Sequence, residues 1–456
     1  RKNSSKKFIN IFRNKKICLM MDVGSTPDIK FTEDYQAGPL SFEITSNGKK
    51  LITNCGYYKK KEKLSQLSRS SAAQSTLIID DNSSCKFTKI NNSWFIKKGL
   101  KIFPQTEARS LVITAEGVVA GIKVLMLPSG NLAEKHKKLT DRGEMFQMLL
   151  PPSYPGSKFL QLIGNFFIKK AQKIEQHHRQ VKYIRAKKGV CLSTGGFIYN
   201  RQMVKEYAPK YFNGMPLGTS NDQGCGIRLG QSVGGKSDHM NRVTAWRFLN
   251  PPLAFANGIV VNKDGRRFCN EMVYGATLGD AMCEHNEGKA YLIIDAKLFE
   301  EAKIQSNEAL PFQRDMAKML MYFNAKKRKN LIDISKIYDL PPDNLISEVD
   351  EYNESAKAGA SCKFGKGAND VKELNGPFYI MDISIDSKLA PLTTLTLGGL
   401  MVNEETGEVL NQNKEEIKGL YAAGRTAVGI CSNIYVSGLS IADCIFSGRR
   451  IGQNLK

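Results

Sequence analysis

The sequence predicts an α/β fold in two domains, and three observations carry that expectation. Near residue 190, a short apolar strand (residues 189–193) runs through Thr194, Gly195, Gly196 and Phe197 into a helix over residues 200–207. Close to the C-terminus the same grammar returns: a strand over residues 419–423, a glycine turn at Gly424, and a helix beginning near Gly438. Third, 456 residues can bury a large core and exceed one ordinary domain. A hydrophobic content of 41%, with 39 glycines and 16 prolines, marks a globular rather than a disordered chain.

Taken in order, residues 1–93 form an unassigned basic region rich in Lys, Ser and Asn. Short strands are expected at 16–23 and 76–80, in no clear order. From Trp94 the pattern clears. A strand is expected at 101–103, and residues 108–114 and 118–127 alternate like a hairpin turning at Glu116 and Gly117. Residues 128–180 read as an insertion, with a proline-rich stretch at 151–155 and a basic amphipathic helix over 159–174. His177 and His178 are neighbours on a helix and point apart, so they suggest an exposed basic surface rather than a metal pair. The strand at 189–193 should be buried. Gly224, Gly226 and Gly230 could suggest a dinucleotide turn, but no strand leads into them, so that reading fails. Residues 258–275 read as a strand, a turn at Lys263, Asp264 and Gly265, and a return strand. A helix is expected over 340–358. Gly398, Gly399 and Leu400 then open a strand and hairpin, through residue 410, that feeds the last block.

The net charge of +22, from 66 Lys and Arg against 44 Asp and Glu, could signal a nucleic-acid or anionic-membrane partner. The lysines are dispersed, often in pairs such as Lys187 and Lys188, and no arginine–aromatic stripe accompanies them; no nucleic-acid partner is expected. The 10 cysteines show no CxxC spacing, so neither a metal site nor a disulfide framework is implied, and a reducing, cytoplasmic setting fits. No apolar run is long enough to cross a bilayer, so no integral membrane contact is expected. The first residues lack an acid before Asp22 and carry Phe8, Ile9, Ile11 and Phe12, which faintly resembles an organelle presequence or a poor signal peptide.

The richest text is residues 419–455, GLYAAGRTAVGICSNIYVSGLSIADCIFSGRRIGQNL. Tyr435 and Ser437 flank Val436 just before a small-residue helix carrying Ser440, Ala442, Asp443 and Cys444. A helix start offers unpaired amides and partial positive charge, which suits an anion. A phenol and an alcohol at the same spot suggest proton chemistry beside it.

This block resembles the C-terminal signature of the succinate dehydrogenase/fumarate reductase-like flavoproteins. Within them it is most similar to the 3-ketosteroid dehydrogenases. The run YVSGLSIADC is what distinguishes their 3-oxo-5α-steroid 4-dehydrogenase subgroup from the Δ1-dehydrogenases. The resemblance covers residues 94–456. It implies a Rossmann-like FAD-binding domain, incomplete at its N-terminal part, over 94–235 and 391–456, with an inserted α+β catalytic or cap domain over 236–390. It also implies that backbone near Ala108 approaches the adenine, and that Thr194, Gly195 and Gly196 lie near FAD. Gly424 and Arg425 would line the same cofactor, Arg425 adding positive charge. Amides of Ser440 and Ile441 would face the N1–C2=O edge of the flavin. Asp443 would be structural, and Cys225 stands where many relatives carry a more polar residue.

The implied reaction turns a saturated 3-ketosteroid, or a similar cyclic ketone, into its enone. A proton leaves the carbon α to the carbonyl and a hydride leaves the β carbon for the flavin; an external electron acceptor closes the cycle. The α proton is weakly acidic until the carbonyl is polarised, so donors must face a developing enolate. By resemblance, amides around Gly438 and a tyrosine hydroxyl serve there. Tyr435 is the expected base, with Ser437 and Tyr274 tuning it or relaying its proton. A tyrosine with a pKa of ~10 needs neighbouring donors to serve as a base. For Tyr274 the alternative is a partly buried tyrosine with a satisfied hydroxyl.

A flavoprotein of this class should open with a strand, GxGxxG, a helix and an acidic residue for the ribose. Gly24 to Pro27 do not make such a turn, so a fragment that binds FAD poorly by itself is expected. Two rivals remain. A fumarate- or urocanate-type reductase needs histidine or arginine clamps, for which His239 and His285 are the only candidate histidines. A non-enzymatic basic relative would fit the charge but not the intact C-terminal block.

Overall fold

The computed structural model describes residues 103–149 and 156–455, preceded by isolated strands between Ser5 and Lys98. Those early strands form a five-stranded antiparallel meander, Ser5–Lys6, Ile9–Arg13, Ile17–Asp22, Phe42–Ser46 and Lys49–Ile52, in chain order. Two hairpins follow, Ile78–Ile79 with Asn82–Ser83 and Cys85–Ile90 with Ser93–Lys98. The expected turn at Gly24 and the proline-rich stretch at 151–155 lie outside the described residues. So do residues 101 and 102, and Phe103 is not in a strand.

The expected hairpin is β1 (Thr106–Ile113) and β2 (Val119–Met126). Helices α1 (Asn131–Met148) and α2 (Ser157–His178) then fold back on each other before β3 (Gln180–Arg185) pairs with β2. His136 on α1 reaches Glu175 on α2 at 2.7 Å, fixing the antiparallel hairpin near its base.

Strand β4 (Val190–Leu192) leads to helix α3 (Arg201–Tyr207), capped by the Asn200 side chain. Of β4 only Leu192 is buried, and Cys191 is exposed, which corrects the expectation of a buried strand. Among the described residues β4 has a neighbour on one edge only. Helix α4 (Cys225–Gln231) follows from coil, whereas a dinucleotide turn would need a strand leading into it. Next come β5 (Val243–Trp246), β6 (Ile259–Val261), helix α5 (Gly275–His285) and β7 (Tyr291–Asp295). Helix α6 (Ala296–Ser306) is capped by Asp295, which accepts from the Leu298 amide. Then follow β8 (Lys326–Arg328), α7 (Pro342–Lys357), β9 (Phe378–Asp382) and β10 (Thr393–Thr396). The chain ends with β11 (Glu408–Leu410), β12 (Glu416–Ala422) and α8 (Leu439–Asn454).

Strands β6, β7, β9 and β8 make one antiparallel sheet in that order, with every residue of β6 and β7 buried. The expected return strand after β6 is absent: one bridge, Val261 to Arg267, is made and the chain then leaves the sheet. Arg267 and Glu271 turn inward as a buried ion pair, and Glu271 accepts the Val260 amide at 3.0 Å in place of a strand partner. Strand β5 pairs with β10, and β4 pairs in parallel with β12, whose other edge carries β11. Glycine fixes one close approach. A Cβ on Gly279 would sit 1.8 Å from the Ala245 carbonyl oxygen, so α5 can lie flat on β5. A single buried apolar cluster, running from Leu111 on β1 to Ala427 beyond β12, joins these sheets.

Candidate active site

Two glycine turns meet at the ends of the parallel pair β4 and β12. After β12 the chain enters Gly424 with φ +56, a backbone state that favours glycine. The Gly424 amide donates to Ser447 Oγ at 3.0 Å, and a Cβ would lie 3.0 Å from Cys444 Sγ, so the turn is seated on α8. Opposite it, Thr426 Oγ1 donates to the Gly195 carbonyl at 3.2 Å. Thr194 Oγ1 accepts the Gly226 amide at 2.9 Å and so braces the start of α4.

Arg425 and Asp222 link these turns through an ion pair at 2.8 Å. The pair covers the glycines: a Cβ on Gly195 would fall 2.4 Å from Asp222 Oδ1, and one on Gly196 3.0 Å from Arg425 Nη1. The positive charge expected of Arg425 is therefore met by a carboxylate of the protein. Its Nη1 is nonetheless buried and donates to no group among the described residues. Sequence reasoning misses Asp222, although it is the one acid in the glycine-rich stretch 216–235.

The proton-handling groups gather at the start of α8. Gly438, with φ +90, caps the helix without a side chain, so the Ser440 and Ile441 amides have no intrahelical acceptor. Tyr435 is half-buried, and its hydroxyl lies 3.2 Å from Ser440 Oγ. Ser437 is exposed. Ser440, not Ser437, is thus the hydroxyl beside Tyr435: one helical turn carries residue 440 back to the phenol. The Tyr435 ring meets the Trp246 ring edge-on, 4.8 Å between centroids. The Trp246 indole N–H is buried and unpartnered among the described residues.

Two residues further along, Phe248 meets Tyr274 edge-on at 5.8 Å. Tyr274 stands at the N-cap of α5 and is 38% exposed. One three-residue segment thus ties both tyrosines to one locality. Arg247 anchors that segment by donating to the Ala390 and Ser384 carbonyls at 2.8 and 3.3 Å. Its complete burial pushes the guanidinium pKa down to about 10, still protonated at neutral pH.

Around these groups Ile430, Ile434, Val436, Ile441 and Ile445 are exposed, an apolar surface beside the first turn of α8. Asp443 is buried and accepts from the Ile430 amide at 3.4 Å, a structural role. Ala108 lies apart on β1, against the apolar core. His239 Nε2 lies 3.0 Å from Asn433 Oδ1, and His285 is exposed at the far end of α5. No group of His, Cys, Asp and Glu among the described residues is arranged to hold a metal ion.

The sequence model of the FAD binding domain family matches residues 93–438. A second family, described as Heparinase II/III-like, C-terminal, matches residues 9–119. The chain is 35% identical over 335 residues to a 3-oxo-5-alpha-steroid 4-dehydrogenase of Comamonas testosteroni, covering 72% of this chain and 60% of that protein. It is 27% identical over 306 residues to fumarate reductase 1 of Saccharomyces cerevisiae, covering 60% of each. Among solved structures it resembles the 3-ketosteroid-delta4-(5alpha)-dehydrogenase of Rhodococcus jostii RHA1 in complex with 4-androstene-3,17-dione. That match has a TM-score of 0.58 and 25% identity over 77% of this chain and 59% of the other. The chain thus spans about three fifths of the length of these relatives.

Proposed function

Because this chain belongs to the FAD binding domain family, we propose that it serves the oxidation of a saturated 3-ketosteroid, or a similar cyclic ketone, to the α,β-unsaturated ketone. The observation that carries this reading is the Tyr435–Ser440 hydroxyl pair at the uncapped start of α8. We assign residues 94–235 and 391–456 to a Rossmann-like FAD-binding part, and residues 236–390 to an inserted catalytic or cap domain.

FAD is the family's cofactor, and residues present here suit its flavin end. The unpaired amides of Ser440 and Ile441 suit an electron-rich ring edge. The orphaned Nη1 of Arg425 offers a donor beside Gly195, Gly196 and Gly424, and the exposed isoleucines offer an apolar wall. Among the described residues no strand–GxGxxG–helix unit is found for the diphosphate end. When bound, FAD would supply the hydride acceptor for the β carbon, with an external electron acceptor needed to restore it.

The chain's own residues handle the proton and the carbonyl. Tyr435 takes the α proton as phenolate, and Ser440 Oγ stabilises that anion with a charge-assisted hydrogen bond. Trp246 holds the phenol ring edge-on and limits water around it. Tyr274 and the backbone around Gly438 supply donors to the ketone oxygen as enolate charge develops. The relative from Comamonas testosteroni bears the name of such a dehydrogenase, which supports the steroid class. A fumarate-type reaction is supported less: His239 is engaged with Asn433, and neither it nor exposed His285 forms a carboxylate clamp.

Incubating FAD-loaded protein with a 3-keto-5α-steroid and an artificial electron acceptor, then analysing the product, tests the reading. A 4-ene-3-ketone is expected. A 1-ene product, or reduction of fumarate without steroid turnover, would contradict it.

A further inference from the structure

We propose that the α1–α2 hairpin is a docking surface for anionic lipid. Helix α2 buries Ser157, Gly164 and Ala171 on the face turned to α1, and there its packing is complete. On the opposite face Phe159, Leu162 and Phe166 are 66, 68 and 54% exposed. Spaced at i, i+3 and i+7, they form a second apolar stripe that none of the described residues covers.

Further along the same face of α2 the side chains become Lys169, Lys170 and Lys173, all exposed. The lysine charge is continuous with the apolar stripe, since Lys170 Nζ lies 4.3 Å from the Phe166 ring. Glu175, the acid of this helix, is turned away to His136 and Arg179. The face of α2 therefore presents apolar side chains flanked by cations, with no acid among them. That arrangement lets rings and Leu162 enter the acyl boundary while ammonium groups meet anionic headgroups. A protein partner would have to match a purely cationic rim, whereas an anionic bilayer does so without specific geometry. No helix among the described residues is long and apolar enough to cross a membrane, so the contact is peripheral.

Co-sedimentation of the full chain with vesicles tests this, using phosphatidylcholine alone or mixed equally with phosphatidylserine. Binding to the mixed vesicles is expected, weakened by salt, with little to phosphatidylcholine. The variant Phe159→Ser/Leu162→Ser/Phe166→Ser should lose it. Lys169→Gln/Lys170→Gln/Lys173→Gln should lower the partition coefficient about fivefold per lysine. Both triple variants change exposed side chains only, and circular dichroism verifies that their helix content is intact. Equal binding by the variants and the parent would assign the lipid contact to another part of this cationic chain and overturn the proposal. So would an absence of vesicle binding, including the case of a dimer in sedimentation velocity that the apolar variant abolishes.

Discussion

Replacing Glu271 by glutamine should cost far more stability than its size change suggests. Glu271, Arg267 and Lys366 have side chains 0, 1 and 0% exposed. The carboxylate accepts from Arg267 Nε at 3.0 Å and Nη2 at 2.8 Å, from Lys366 Nζ at 2.8 Å, and from the Val260 amide at 3.0 Å. Lys366 also donates to the Gly258 carbonyl at 2.6 Å, and Arg267 to Cys362 Sγ at 3.4 Å. Burial alone would raise the Glu271 pKa, but Lys366 and Arg267 outweigh it and hold the carboxyl below its usual range. A glutamine there would keep one acceptor oxygen for these donors and turn an amide NH2 toward a buried cation. The expected loss is about 3–5 kcal/mol, the range for removing one partner of a buried ion pair. Urea unfolding of Glu271→Gln, followed by far-UV circular dichroism, measures it. Adding Lys366→Met should recover part of the loss, because one stranded cation goes with it. The sign with pH follows from the depressed carboxyl. Its stabilisation is complete above the unfolded-state pKa and fades as pH falls through the lower folded value. The parent should therefore lose stability in acid more steeply than Glu271→Gln. A loss below ~1 kcal/mol, or a double variant as unstable as the sum of its parts, would refute the reasoning.

Tyr435→Phe should slow steroid-dependent flavin reduction about 10²–10⁴-fold, the usual range for a lost proton acceptor. Stability should fall only about 1 kcal/mol, because one half-buried hydrogen bond is lost. In the same stopped-flow assay Ser440→Ala should cost about tenfold or more, through lost support of the phenolate. Exposed Ser437→Ala should leave the rate near that of the parent. Gly424→Ala forces φ +56 on an alanine whose Cβ meets Cys444 Sγ at 3.0 Å. It should destabilise by about 1–2 kcal/mol in a thermal melt and weaken FAD binding in a spectroscopic titration.

The C-terminal strand, turn and helix were legible because all their determinants lie within 37 residues and each is local: an apolar run, a glycine, a small-residue helix. The pairing inside that block was less so. Ser437 is nearer to Tyr435 in sequence, yet the turn into α8 leaves it exposed and brings Ser440 to the phenol. The Arg425–Asp222 pair spans 203 residues and Trp246–Tyr435 joins separate elements, so neither could be read without the fold. The missing return strand after β6 has a physical cause visible only in three dimensions. Arg267 and Glu271 face Lys366 in the core, and side-chain acceptors take over from a ladder. Of the early strands, Ile17–Asp22 and Ile78–Ile79 fall within the expected 16–23 and 76–80, whereas Lys and Ser break up others such as Cys85–Ile90 and Ser93–Lys98, so alternation does not declare itself there.

The most direct measurement is a visible spectrum of the FAD-loaded protein during anaerobic addition of a saturated 3-keto-5α-steroid. Flavin absorbance that bleaches, with loss of that bleaching in Tyr435→Phe, is the predicted result. Bound flavin that stays oxidised with the steroid, or bleaches equally in Tyr435→Phe, would contradict ketosteroid oxidation by this tyrosine.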